Sequence, residues 1–418
     1  MMNFLLARAA TALLFLVPTA SAVGQGEGQP IVIGTKTSIR SMNLRERRPL
    51  WIRLPADYAR ATGQRYPVIY LLDGDDHFVE VDGMVHRLTG NARMPDAIVI
   101  GIPNTKDRTH DLTPHEGADT SRFPMFGDGS RDSTSTRFVT SGGSNAMLSF
   151  IADELTPWVE SHYRTAPFRI LVGHSFGGLL VLEALATRAE RFNAFVSLSP
   201  SLWWDRGRYV KTLEKRLQTA KLGGRSLYMT TGGNELRAMI DPARDLSSTL
   251  DARHDAGFQF VFRVMPGERH DTNPHRSTYD ALESIFAGFE PPDSLIAALA
   301  LRGDSLPLVN HYAALSRRLL FDAPIPLKYL EGYATWILEE GASPEYAVRL
   351  FRFEASHAPT SAPAHDGLAR ALAKAGYRAE AVRAAGKAVR LAVSARDPRL
   401  AEFRKHQAEI SRQGGRGL

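Results

Sequence analysis

Three side chains far apart along the chain, Ser175, Glu235 and His270, are of the types that together open a carboxylic ester. Ser175 is the centre of Gly173-His-Ser-Phe-Gly177, preceded by the apolar run Phe168-Arg-Ile-Leu-Val172 and followed by Gly178-Leu-Leu180. An apolar strand that enters Gly-x-Ser-x-Gly and leaves directly as a helix puts the serine on a tight turn with its hydroxyl exposed. Positions 173 and 177 must be small, because side chains there would strike the neighbouring strand and helix. The five-residue pattern alone is a weak signal in a chain with 34 glycines, and a structural glycine-rich turn is the alternative reading. The strand before it and the helix after it give it weight. On such a turn the amide of Phe176 points toward the oxygen of a bound carbonyl, aided by the positive end of the helix.

A serine hydroxyl attacks poorly until a histidine takes its proton, and on this kind of turn the partners follow in the order Ser, acid, His. Of the 13 histidines, His270 lies just past an apolar strand and the turn Pro266-Gly267, in a loop that returns toward the serine. His275 is the nearest competitor, while His311, His357, His365 and His406 fall in a later helical region. The acid is expected at Glu235, just past another strand, where it would orient the imidazole; Asp241 is its rival. The second oxyanion donor is expected from the turn Asp73-Gly74-Asp75, at the amides of Gly74 and Asp75. Asp73, Asp75, Asp76 and His77 close together also raise the possibility of a metal, but no histidine pairing at metal-binding spacing lies near them, so no metal is expected.

These residues need a scaffold that brings strand ends together. Apolar runs at 50–54, 68–72, 97–102, 170–172, 194–198, 227–231 and 258–265 alternate with helix-length amphipathic stretches at 146–163, 178–190, 209–220, 246–256 and 279–289. That alternation predicts an α/β fold, a mostly parallel sheet flanked by helices, over residues 31–291. Pro103 ends one strand and opens a long irregular stretch to about Gly143, of a length usual for a lid or binding segment. Beyond Pro292 the chain becomes rich in Ala, Leu and Arg with helical periodicity, predicting a smaller all-α domain over 292–418. Ala347-Val348 and Ala381-Val382 lie 34 positions apart, the period of tetratricopeptide repeats; a plain helical appendage is the alternative. Val348 and Phe351, then Leu368 and Leu372, form helix faces that need covering.

Composition narrows the function classes. The 51 Lys and Arg against 45 Asp and Glu give +6, but without a run of like charges, so nucleic acid is not an expected partner. The absence of cysteine excludes disulfides, thiolate nucleophiles and Cys-ligated metals. Met1 to Arg8, the apolar run 9–17, Pro18 and Ala20-Ser-Ala22 have the layout of a secretory signal peptide over 1–22, and the apolar run is too short to span a bilayer. The mature protein is therefore expected to be exported, periplasmic or secreted, without a membrane span.

Several separated blocks resemble the esterase branch of the α/β hydrolases, which contains esterase D-like enzymes and the siderophore (enterobactin-type) trilactone esterases. They are Tyr70-Leu-Leu-Asp-Gly74, Asn104 to Pro114, Ser141-Gly-Gly143, Glu154-Leu-Thr-Pro157, Gly173 to Gly177, Ser199-Pro-Ser-Leu-Trp-Trp204 and Pro266-Gly-Glu-Arg-His270. The resemblance implies an α/β-hydrolase fold with Ser175 and His270 as nucleophile and base, and Arg108 is similar to a residue lining the ester site. It also implies an exported member with a helical, repeat-like tail.

Trp203 and Trp204 follow the strand after the serine turn, where they form a wall of the substrate pocket or belong to the core. Arg108 has the same double reading, as a substrate contact or as an ion pair with Asp111. Taken together, the residues predict a serine esterase acting through an acyl-enzyme on a small-molecule ester, without a cofactor; for the tail the sequence leaves three roles open: capping the active site, self-association, or binding a protein partner. A thioesterase or acyltransferase would use the same residues, and a non-catalytic scaffold would keep the fold without needing Ser175 or His270.

Overall fold

A strand such as Tyr66–Leu72, apolar along its whole length and buried at every position, cannot face water on either side. Helices must therefore cover both faces of the sheet it joins. The computed structural model describes residues 30–114, 140–341 and 343–414. The signal-peptide segment and the centre of the 103–143 loop lie outside the described residues.

Eight strands, β1 (Thr35–Ser41), β2 (Glu46–Arg53), β3 (Tyr66–Leu72), β4 (Ile98–Ile102), β5 (Thr165–His174), β6 (Ala194–Leu198), β7 (Ser226–Gly232) and β8 (Gln259–Met265), form one sheet. Their order is β1-β2-β4-β3-β5-β6-β7-β8. β1 and β2 run antiparallel at one edge, and the other six are parallel. This is the α/β-hydrolase architecture, as expected. The helices are α1 (Gly74–Gly90), α2 (Arg108–Leu112), α3 (Ser144–Ser149), α4 (Thr156–His162), α5 (Phe176–Thr187), α6 (Arg208–Thr219), α7 (Arg237–Asp251) and α8 (Asn273–Ile285). α3 and α4 are joined through a π-helical turn, Phe150–Leu155, so the single helix predicted over 146–163 is continuous but wider in its middle.

Alternation along the strands sorts the core into two layers. Ile69 and Leu71 of β3 point into the layer that holds Phe78, Val81, Val85 and Leu88 of α1 and Ala281 and Leu282 of α8. Val68, Tyr70 and Leu72 point into the opposite layer with α5, α6 and α7. Three elements absent from the sequence expectation belong to this frame; one, α2, is a short helix inside the stretch expected to be irregular. α1 carries its apolar residues at helical spacing among Asp and His, and β1 is an edge strand with only two buried residues, Ile39 and Ser41. α7 begins nine residues before the expected 246 and carries Pro242 as its sixth residue, where a proline interrupts one intrahelical hydrogen bond and masks the helical pattern in the sequence.

Beyond Pro292 the structure is all-helical: α9 (Asp293–Arg302), α10 (Leu306–Leu319), α11 (Leu327–Glu339), α12 (Pro344–His357), α13 (Ala362–Lys374), α14 (Arg378–Ala395) and α15 (Leu400–Gly414). From α11 onward each helix packs on the next. A Cβ on Gly367 of α13 would fall 2.2 Å from the Phe351 ring of α12, so glycine there lets the two helices approach closely. Val348, Phe351 and Leu372 are buried, as their spacing requires. Residues from Gly34 onward make one compact unit, and the α1/α8 layer continues into the tail without a break. Phe321 packs on Phe168 near the start of β5, with ring centroids 5.5 Å apart. Tyr312 donates to the carbonyl of Phe289 at 2.6 Å, and Lys328 pairs with Asp57 in the β2–β3 loop. All of these contacts lie where the parallel strands begin. Among the described residues, no helix is long and apolar enough to cross a membrane.

Candidate active site

The parallel strands all end on one edge, and the loops leaving them carry the site, as is general for open α/β sheets. Ser175 follows β5, Ser199 and Ser201 follow β6, Glu235 follows β7, His270 follows β8, and Asp73 and Asn104 follow β3 and β4. Register makes these ends level: His174 pairs with Leu198, Leu198 with Thr230, and Gly232 with Met265.

Ser175 sits between strand and helix with φ 59° and ψ −116°, in a region that non-glycine residues occupy at a cost of about 1–3 kcal/mol. Backbone hydrogen bonds hold it there: its amide donates to Leu198 O at 2.9 Å, and its carbonyl accepts from the amides of Leu179 and Ser201 at 3.0 and 3.1 Å. A Cβ on Gly173 would lie 2.4 Å from the carbonyl of Gly177, and one on Gly177 would lie 3.1 Å from Asp73 Oδ2. The turn therefore cannot form with larger residues at 173, which is the requirement read from the sequence.

The Ser175 hydroxyl lies 3.0 Å from His270 Nε2, and His270 Nδ1 lies 3.4 Å from Glu235 Oε2. The structure thus brings together three residues separated by up to 95 positions. Glu235 is almost wholly buried; its Oε1 accepts from the amide of Gly232 at 2.7 Å and from the hydroxyl of Ser199. Burial alone would raise its pKa, but the hydrogen bonds from His270, Ser199 and Gly232 outweigh burial and hold the carboxyl below its ordinary range. Ser199 in turn accepts from Asn273 Nδ2 at 2.7 Å, and Asn273 also donates to Thr230 Oγ1 at 3.0 Å. Asp241 is half-exposed on α7 and paired with Arg237. His275, the competing histidine, pairs with Glu80.

His174 supports His270 from behind. Burial, followed by the neighbouring His270 and His77, pushes its pKa down to about 3, so the ring is neutral at ordinary pH and its Nε2 meets the carbonyl of His270 at 2.9 Å.

Gly74 opens α1 against the end of β4, where a Cβ would lie 2.7 Å from the amide of Ile102. Asp73 before it has φ 51° and is buried. Arg108 meets Asp73 with two hydrogen bonds and also donates to His174 O at 3.2 Å; Asn104 adds a bond to Asp73 at 2.8 Å. The partner of Arg108 is therefore Asp73 rather than Asp111, which pairs with Arg48. Burial would raise the Asp73 pKa, but Arg108 and Asn104 overcome it and hold the carboxyl below its usual value. Arg108 also stands over the Phe176 ring, 5.5 Å from its centroid. Trp203 and Trp204 both lie 5.5 Å from Phe176, Trp204 within the core and Trp203 half-buried beside it. Asp75 accepts from the amide of Asn104 at 3.0 Å. Among the described residues no group of three or more His, Asp or Glu side chains is arranged to hold a metal ion.

Several contributors escape sequence reasoning. Ser199 and Ser201 stand in a block whose chemistry is not evident from residue type, and Asn273 carries no local signal at all.

A serine elbow on the carboxyl edge of this sheet defines the α/β-hydrolase class. The family model described as "Putative esterase" matches residues 41–281; the chain belongs to that family and is a carboxylic ester hydrolase. It is 28% identical over 253 residues to ferri-bacillibactin esterase BesA of Bacillus subtilis, covering 56% of this chain and 84% of that protein. It is 28% identical over 264 residues to the apo-salmochelin esterase of Escherichia coli, covering 60% of this chain and 78% of that protein. The crystal structure of an IroE-like serine hydrolase from Shewanella oneidensis superposes with a TM-score of 0.63 at 28% identity, over 77% of this chain and 99% of that one.

Proposed function

We propose that the protein hydrolyses a siderophore-type ester or lactone through a Ser175–His270–Glu235 triad and an acyl-enzyme. The observation that carries this reading is the 3.0 Å approach of His270 Nε2 to the Ser175 hydroxyl, with buried Glu235 behind His270. Ser175 Oγ attacks the ester carbonyl and its proton passes to His270 Nε2. The amides of Phe176, Gly74 and Asp75 stabilise the oxyanion. His270 then returns the proton to the departing alkoxide, and a water that His270 deprotonates releases the acyl group. Arg108 and Trp203 border the ester, with Trp204 backing Trp203 and Phe176. The names of the relatives, esterases of ferri-bacillibactin and apo-salmochelin, support the substrate class.

Export by the segment 1–22 would place the enzyme where iron carriers are encountered. The tail is read as a tetratricopeptide-like module for a partner or a second copy. Its support is the equivalent placement of Ala347 and Ala381, both buried and each the fourth residue of its helix.

The test is hydrolysis by the purified protein of a catecholate trilactone beside simple aryl and thioesters, followed by mass spectrometry. Preference for the trilactone, lost in Ser175→Ala, is expected; turnover of thioesters alone would overturn the substrate assignment.

A further inference from the structure

Ser201, two residues beyond Ser199 on the loop after β6, is fully buried, and its hydroxyl lies 3.1 Å from the Ser175 hydroxyl. Its amide also donates to the Ser175 carbonyl at 3.1 Å, so backbone as well as side chain fixes one serine to the other. Among the described residues, the Ser201 hydroxyl meets no other hydrogen-bonding side chain or carbonyl. Two protons must therefore be placed among three atoms, Ser201 Oγ, Ser175 Oγ and His270 Nε2. If Ser175 donated to Ser201, the Ser201 proton would be buried without an acceptor and His270 Nε2 would lose its donor. If Ser201 donates to Ser175 and Ser175 donates to His270, every group is used. Because a buried unpaired polar group costs about 1–3 kcal/mol, the second arrangement prevails.

We infer that Ser201 is a positioning residue for the nucleophile: its hydroxyl donates to Ser175 Oγ, which commits the Ser175 proton to His270. The inference rests on Ser175 being the nucleophile. During attack the Ser175 proton moves to His270 Nε2 and a bond forms between Ser175 Oγ and the carbonyl carbon, while Ser201 keeps its own proton throughout. Its hydrogen bond strengthens as negative charge grows on Ser175 Oγ and weakens once that oxygen is part of the ester. The same bond forms again when Oγ leaves during deacylation, so both half-reactions depend on it.

Rates of labelling by a fluorophosphonate, and kcat and KM for an aryl ester, should be compared in wild type, Ser175→Ala, Ser201→Ala and Ser201→Thr. Ser201→Ala is expected to slow labelling and lower kcat by roughly 10-fold, the size of one hydrogen bond. KM should stay in place, because His270 retains its contacts with Glu235 and His174. Ser201→Thr, which restores a hydroxyl, should recover most of the rate. Wild-type labelling in Ser201→Ala, or equal losses in the Ala and Thr variants, would overturn the role. Labelling that persists in Ser175→Ala would instead overturn the nucleophile itself. If Ser201→Ala does not fold, Ser201→Cys replaces it: its weaker donor should slow labelling, and a wild-type rate there would count equally against the inference.

Discussion

Arg108 and Asp73 meet through a two-pronged contact, Nε to Oδ1 at 2.5 Å and Nη2 to Oδ2 at 2.9 Å. The same guanidinium reaches His174 O, so one side chain links the residue before Gly74 to the residue before Ser175. The two sources of oxyanion amides in the proposed mechanism are thereby held at a fixed separation. Arg108→Ala leaves the buried Asp73 charge without its partner and should cost about 3 kcal/mol of stability together with a fall in kcat. Arg108→Lys keeps the charge but not the fork and should fall between the two. Because the Asp73 pKa is depressed in the fold, its contribution is complete at neutral pH and is lost as pH falls below the ordinary carboxylate range, near 4. Thermal unfolding across pH checks this, and an Arg108→Ala protein as stable as wild type would contradict it.

Ser175→Ala and His270→Ala should each lower ester turnover by several orders of magnitude, and the double variant should be scarcely worse, since the two act as one unit. Steady-state kinetics on an aryl ester are sufficient, and multiplicative losses would show that the residues act separately.

Glu235→Gln should lower kcat substantially, because it removes the charge that faces His270 while keeping its shape. Asp241→Asn should have almost no effect, since Asp241 faces solvent and Arg237. The opposite ranking in kcat would transfer the acid role to Asp241.

Phe321→Ala removes the ring that packs on Phe168 and should cost about 3–5 kcal/mol with kcat little changed, because the contact lies at the opposite edge of the sheet from Ser175. Truncation after Pro292 should be more severe, exposing the apolar layer shared by α8 and the tail. Chemical denaturation beside kinetics separates these effects; a truncated protein as stable as the full chain would show that the shared layer contributes little.

Glu354, buried on α12, has an Oε2 without a hydrogen-bond partner among the described residues, and burial together with nearby Glu331 pushes its pKa up to about 8. Its folded value is raised, so the stability associated with its neutral form is fully present below the unfolded value near 4.3 and is gone once pH rises through about 8. Glu354→Gln should flatten the decline in thermal midpoint over that interval. An unaltered decline in the variant would assign it to another group.

The legible parts of this protein are those governed by strong local rules. Gly173 announces the elbow because the Gly177 backbone excludes a side chain there, Gly177 because a side chain would crowd Asp73, and the apolar runs of β3 to β7 announce buried strands. Glu235 and His270 could be located because each follows a strand. β1 was hidden because an edge strand buries few residues, and α1 because Asp75, Asp76 and His77 at its start mask the apolar spacing of Phe78, Val81, Val85 and Leu88. Ser201, Asn273 and the Asp73–Arg108 contact join segments distant in sequence, and such pairings depend on packing that no local pattern encodes.

The tail docks where the parallel strands begin, behind the catalytic edge. Its anchoring contacts, Phe321 on Phe168, Tyr312 on Phe289 and Lys328 on Asp57, all lie at the end of the sheet opposite Ser175. What holds the tail in place is thus carried by Phe168, Phe289 and Asp57, none of which belongs to the loops around Ser175, so the two ends of the sheet can be altered separately.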